Sequence, residues 1–166
     1  MSREFIIESH EVIITDPCYD LDSSKVVDVL PGVYIADVKY VNGVISELSI
    51  THTNHNVDSE LELLSEDIGV DSGQCGFFDT KYYREDDYYI NIERINPDHI
   101  ICADMPFYSA CCDRTIGKVR WGTIPFGAVS SSGYGDGCYF AYGAKNNDNL
   151  FTYLKLVFVI EHEEEG

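Results

Sequence analysis

Two β-rich runs, Val33–Val41 and Val44–Thr53, flank the dipeptide Asn42-Gly43. Asparagine followed by glycine populates the left-handed backbone region that a two-residue hairpin turn of the correct twist demands. The segment is therefore predicted to fold as an antiparallel hairpin. In its first arm Val33, Ile35, Asp37 and Lys39 alternate with Tyr34, Ala36, Val38 and Tyr40, so one face is apolar and the other mixed. Similar punctuation recurs along the chain. Glu4–Glu8 and Glu11–Asp16 read as short strands, and Pro17 closes the second by holding Asp16 extended and removing a backbone donor. Gly122–Ser131, Gly137–Ala144 and Leu150–Ile160 read as three more, with Asn146-Asn147-Asp148-Asn149 as the turn between the last two.

Other stretches are less regular. Asp58–Leu64 leans to irregular structure or a strand, and Asp22-Ser23-Ser24 to a capped helical turn or a continuing loop. Thr80–Asn96, charged and rich in tyrosine, is predicted as a helix followed by a loop, and Phe107–Cys112 as a buried stretch. No fixed-period repeat emerges. Turn signals about every ten residues predict a mainly β fold: antiparallel sheets packed as a sandwich or partly open barrel, with one or two short helices. A single domain over residues 1–166 is expected, with 161–166 as a solvated acidic tail.

Composition limits the functional classes. A 45% hydrophobic chain is too apolar for disorder. Its net charge of −18, with only 11 Lys and Arg, opposes direct binding to nucleic acid, whose affinity comes from clustered cations. The acidity suits either a solvated surface or a partner protein with a basic surface. The apolar run near Leu154–Ile160 is too short to span a membrane, and Met1–Phe5 lacks the apolar core of a signal peptide. A cytoplasmic location is expected, with no membrane partner. The six cysteines include no Cys-x-x-Cys, and adjacent Cys111-Cys112 makes a poor zinc knuckle, so buried or semi-buried thiols and no structural zinc are expected.

Three carboxylates stand in turns of small or aromatic residues: Asp16 in Thr15-Asp16-Pro17-Cys18-Tyr19, Asp71 in Val70-Asp71-Ser72-Gly73, and Asp136 in Tyr134-Gly135-Asp136-Gly137. Each could simply accept local backbone N–H groups. Brought together, they could hold a divalent cation, a small ligand or an acid–base pair. The candidate ligand-binding set is Asp16, Cys18, Tyr19, Asp71, Ser72, Gln74, Ser132, Tyr134 and Asp136. Any metal would fall to Asp16, Asp71 and Asp136, and no other cofactor is expected. The glycine-rich stretch Gly133–Gly137 is not a phosphate loop, since it lacks the Lys-Ser/Thr and opens a strand where such loops open a helix. Cysteine–histidine catalysis is disfavoured because an acidic chain opposes thiolate formation. His52 and His55, on an extended segment, should face opposite sides. The many tyrosines suit sheet packing or a binding surface.

The blocks Val70-Asp71-Ser72-Gly73-Gln74-Cys75-Gly76-Phe77-Phe78-Asp79 and Ser132-Gly133-Tyr134-Gly135-Asp136-Gly137-Cys138-Tyr139, with Thr15–Tyr19 as a third landmark, resemble a family of bacterial and phage proteins. It is the domain-of-unknown-function family numbered 4241. The resemblance covers mainly residues 68–79 and 127–160. It implies a bacterial cytoplasm, or the host cytoplasm of a phage, and no enzyme class. Cys138 and the acidic, tyrosine-rich middle depart from the pattern.

Overall fold

Each strand of this chain has a face to bury, and the computed structural model, which describes residues 3–21, 25–56, 58–96 and 104–160, buries them in two antiparallel open sheets. The strands are β1 (Glu4–Ile7), β2 (Glu11–Thr15), β3 (Lys25–Asp28), β4 (Gly32–Val41), β5 (Val44–His52), β6 (Leu61–Val70), β7 (Gln74–Asp79), β8 (Trp121–Ile124), β9 (Gly127–Ser131), β10 (Gly137–Lys145) and β11 (Phe151–Val157). A six-stranded sheet runs β1-β4-β5-β11-β10-β6, and a five-stranded sheet runs β3-β2-β7-β9-β8. Asn42 and Gly43 have φ of 49° and 81°, the paired left-handed turn that the β4–β5 hairpin needs. The β10–β11 turn closes similarly, with Asn149 at φ 65°.

The two sheets face each other across the main core, which holds Tyr34, Ala36, Leu48 and Ile50 from one and Val12, Ile14, Cys75 and Phe77 from the other. The six-stranded sheet turns its second face to solvent, so β4 alternates buried Tyr34 and Ala36 with exposed Ile35 and Asp37. The five-stranded sheet is covered on both faces at β2, β7 and β9. Ile13, Phe78 and Val129 project away from the main core and pack with Phe107, Ala110 and Cys111 of the helix α1 (Pro106–Thr115). That double burial explains why β2 and β7 read as continuous apolar runs where β4 alternates.

The strand order conceals a duplication. The six-stranded sheet is symmetric about its central β5–β11 pair: β1 and β6 are its edges, and β4 and β10 stand inside them. In the other sheet β2 and β7 are central, flanked by β3 and β9. Mapping β1–β5 onto β6, β7, β9, β10 and β11 reproduces every one of these neighbours, with α1 and β8 as an insertion in the second half. The register agrees. The interval that carries Ser9 to Ser72, Asp16 to Asp79 and Tyr19 to Tyr82 also carries the pair Ile13–Phe78 onto Gly76–Thr15, which is itself a pair. A pseudo-two-fold axis therefore passes through the Ile14–Phe77 pair. There is no fixed period, because the interval between equivalent strands changes along the chain; the relation is between two long halves that interleave in both sheets.

Several local expectations change too. Thr80–Asn96 forms turns and one 3-10 turn at Asp86–Tyr88, with no helix. Its tyrosines are held by tertiary contacts: Tyr82 stacks on Phe126 with centroids 3.7 Å apart, and Tyr83 and Tyr89 lie edge-on to Phe107. The helix forms one segment later, where Pro106 suits its first turn and Asp86 Oδ1 accepts the Phe107 N–H at 3.0 Å. Gly122–Ser131 is two strands broken at Pro125-Phe126, Asp58–Leu64 runs into the edge strand β6, and β3 is an additional strand. Asp22-Ser23-Ser24 and residues 161–166 lie outside the described residues.

Candidate functional site

At one end of the sandwich the chain passes from sheet to sheet at two adjoining corners. Asp71-Ser72-Gly73 leads from β6 into β7, and Ser132–Asp136 leads from β9 into β10. The Ser132 N–H donates to Gly73 O at 3.0 Å and ties the corners together. The glycine-rich stretch is thus a corner, with Gly133 at φ 55° and Gly135 at φ 125° making a path that side-chain-bearing residues resist. A Cβ on Gly133 would stand 3.0 Å from Val159 Cγ2, which adds a packing reason. The tie has a counterpart in the first half, where the Val29 N–H donates to His10 O at 2.8 Å.

Asp16 fastens this end. Its carboxylate is fully buried and accepts four hydrogen bonds: Oδ1 from the Cys18 N–H (2.8 Å) and the Ser72 hydroxyl (2.6 Å), Oδ2 from the N–H groups of Asp71 (2.8 Å) and Ser72 (2.7 Å). The Tyr19 hydroxyl donates to Asp71 Oδ2. Asp16, Cys18, Tyr19, Asp71 and Ser72 are therefore one hydrogen-bonded cluster. Asp136 lies beside Gly73, its Oδ1 4.0 Å from where a Cβ on that residue would stand. Buried Gln74 turns elsewhere, donating to Cys112 Sγ at 3.5 Å and accepting from Thr115 Oγ1 at 3.3 Å. Ser132 is buried, and its hydroxyl donates to Gly135 O at 2.9 Å. Tyr134 is 71% exposed and projects away.

Sequence reading missed that the cluster has a twin. Asp79, also fully buried, accepts the Glu8 and Ser9 N–H groups (2.8 and 3.0 Å), the Ser9 hydroxyl (2.5 Å) and the Lys81 N–H (3.1 Å). The Tyr82 hydroxyl donates to Glu8 Oε1 at 2.7 Å. Atom for atom this is the Asp16 arrangement. The signal was present as acidic-Ser-x-Glu/Gln, then Asp-x-x-Tyr, in Glu8–Tyr19 and again in Asp71–Tyr82. A third buried carboxylate, Asp113, accepts the N–H groups of Ile95 (2.8 Å) and Asn96 (2.9 Å) and pairs with Arg114 Nη1 at 2.6 Å.

These arrangements set the available chemistry. Four bonds saturate the near-planar lone pairs of the Asp16 carboxylate, leaving it poorly placed to ligate a cation or accept a substrate proton. Among the described residues no three His, Cys, Asp or Glu side chains are grouped to hold a metal ion. The thiols are poor nucleophiles. Burial, assisted by the Asp16 hydrogen bond and charge, pushes Cys18 up to about 12. Burial also raises Cys75, Cys111 and Cys112, and the hydrogen bond to Asp67 raises Cys138. The Tyr19 phenol is raised chiefly by its bond to Asp71. His52 and His55 do not converge, for one ring bonds Pro31 O at 2.9 Å and the other Thr152 Oγ1 at 2.8 Å. His99, His162 and Cys102 lie outside the described residues.

What remains open is a polar cleft of about 580 Å³ beside the cluster, with Tyr19, Lys25, Ser65 and Asp67 on its walls. Along its border runs the edge strand β6, which carries exposed Glu62, Glu66 and Asp67. Among the described residues no helix is long and apolar enough to cross a membrane. No protein-family model, curated protein or solved structure matches this chain.

Proposed function

We propose that this protein is a non-enzymatic interaction module whose acidic surface engages a basic surface on a partner protein. The supporting observation is how the carboxylates divide. Among the described residues every Asp and Glu is exposed except the fastened Asp16, Asp79 and Asp113 and the half-buried Glu47. The buried carboxylates hold loops, so the remainder of the −18 charge faces outward. A metal- or substrate-binding carboxylate site at Asp16, Asp71 and Asp136 is the weaker reading, because Asp16 is already saturated.

The seat we assign to the partner is β6. It is an edge of its sheet, so one side of its backbone has no strand neighbour among the described residues. Glu60 precedes it, Glu62, Glu66 and Asp67 lie on it, and Leu61 and Leu63 are 47% and 49% exposed between them. Such an edge offers main-chain hydrogen bonds, apolar contact and negative charge to an incoming extended basic segment. The resemblance to bacterial and phage proteins suggests a bacterial cytoplasm as the setting. The test is fluorescence anisotropy with a labelled Lys/Arg-rich peptide, at low and moderate salt, against wild type and the Glu62→Lys/Glu66→Lys variant. At least a tenfold loss of affinity is expected from added salt and from the variant. Binding indifferent to both would overturn the reading.

A further inference from the structure

A second cleft, of about 540 Å³, lies at the pseudo-equivalent place in the first half, where Glu4, Phe5 and Ile6 of β1 replace Asp67, Ile68 and Gly69 of β6. Its character differs. Phe5, Ile6, Val33, Ile92, Ile124 and Phe126 make it predominantly apolar, and Arg114 supplies the cation on its wall.

Arg114 is 7% exposed, and its donors are unevenly used. Nε donates to Thr123 O at 2.9 Å, and Nη1 donates to Glu93 O at 2.8 Å and to Asp113 Oδ2 at 2.6 Å. Nη2 has no acceptor among the described residues. Yet among the described residues no fully buried side-chain nitrogen or oxygen lacks a partner. Nη2 therefore retains some exposure, and Arg114 lines the cleft. An apolar cavity of small-molecule size with one directed, desolvated donor is the usual composition of a ligand pocket.

We propose that this cleft binds an amphipathic monocarboxylate, its apolar body against Phe5, Val33 and Ile124 and its carboxylate on Arg114 Nη2. Asp113 neutralises the guanidinium charge, and exposed Glu4 and Glu93 sit at the rim. What Arg114 offers a ligand is therefore the N–H donors of Nη2, which one carboxylate can take, whereas a phosphate dianion meets stronger repulsion from the rim. The inference does not depend on the β6 reading, since the two surfaces share no residue.

Dodecanoate, kept below its micellar concentration, is the probe, and amide chemical-shift titration of the full chain is the measurement. Shifts should concentrate on residues 4–7, 33, 124 and 126. Dodecanol, with the same body and no carboxylate, should bind at least tenfold more weakly, as should butyrate, with the carboxylate and little body. Arg114 also holds the Glu93–Asn96 loop, so the blocking variant is Ile6→Glu, at a half-exposed mouth position; it should weaken dodecanoate at least tenfold without unfolding the chain. Equal binding of dodecanol and dodecanoate, shifts dispersed over the surface, no binding, or an Ile6→Glu variant as competent as wild type would each overturn the assignment.

Discussion

The two buried carboxylates Asp16 and Asp79 accept the same four kinds of donor, but what surrounds them differs. Over Asp79 the inserted segment lays an aromatic lid, with Tyr82 sandwiched against Phe126 and edge-on to Tyr88. Around Asp16 the described residues form no such stack; the Tyr83 hydroxyl bonds Asp16 O and Tyr19 O from one side, while Cys18 is half buried, Asp71 is exposed, and a polar cleft opens alongside. The hydrogen-bond geometry is evidently a property of the corner, kept in both halves because two consecutive N–H groups at a sheet-to-sheet turn have no strand partner and need an acceptor. The surroundings are free to diverge. A carboxylate that looks catalytic by sequence can thus be recognised as structural when a twin does the same work in a different setting.

The widest test of that equivalence is to remove each acceptor. Asp16→Ala and Asp79→Ala should each lose about 3–5 kcal/mol in urea unfolding, because each strands several buried donors. If one loses only a small fraction of what the other does, the twin corners are not energetically equivalent. Next comes Gly76, the counterpart of Ile13 across the axis. A Cβ there would stand 2.2 Å from Ala128 O, so Gly76→Ala should cost about 3 kcal/mol, whereas Ile13→Val should cost about 1 kcal/mol.

A third test uses pH. Asp113 is buried, which alone would raise its carboxyl, but the Ile95 and Asn96 N–H groups and Arg114 outweigh this and hold it below its ordinary value of 3.8. A depressed folded-state value means the carboxylate stabilises fully above the unfolded value and ceases to as pH falls through the folded one. The urea midpoints of wild type and Asp113→Asn should therefore lie apart at pH 7 and converge progressively below about pH 4; a gap that stays constant to pH 2.5 would contradict this. The smallest effect is expected from the tyrosines. Tyr19→Phe and Tyr82→Phe should each lose about 0.5–1 kcal/mol, with the Tyr82 stack on Phe126 retained.

Much of the fold was legible because its signals are local. Asn42-Gly43 and the Asn146–Asn149 turn announce their hairpins, and the alternation in β4 gives its buried face. What the sequence concealed depends on distant partners. The tyrosines of Thr80–Asn96 look compatible with a helix until Phe107 and Phe126 are known to receive them. β6 looks irregular because an edge strand with one exposed flank keeps charges and leucines without clean alternation. For the site, Asp16, Tyr19, Asp71 and Ser72 of the candidate set lie together, and the four bonds on Asp16 favour a structural role for it over that of a ligand. The duplication escaped notice because only Ser, Asp and Tyr are identical between its two copies of the corner, and all three are common turn residues.

The symmetric strand order has a consequence for how the chain is made. The two halves meet at β2–β7 and at β5–β11, so each sheet is completed only by strands from both. A ribosome releasing the first half exposes β2 and β5 with an unpaired side each, and no rearrangement within that half can cover them. Completion must wait for Phe151–Val157. Folding dominated by such distant pairings is slow. During that wait the nascent first half can pair with its own copy on a neighbouring chain, through the same edges that the second half will later occupy.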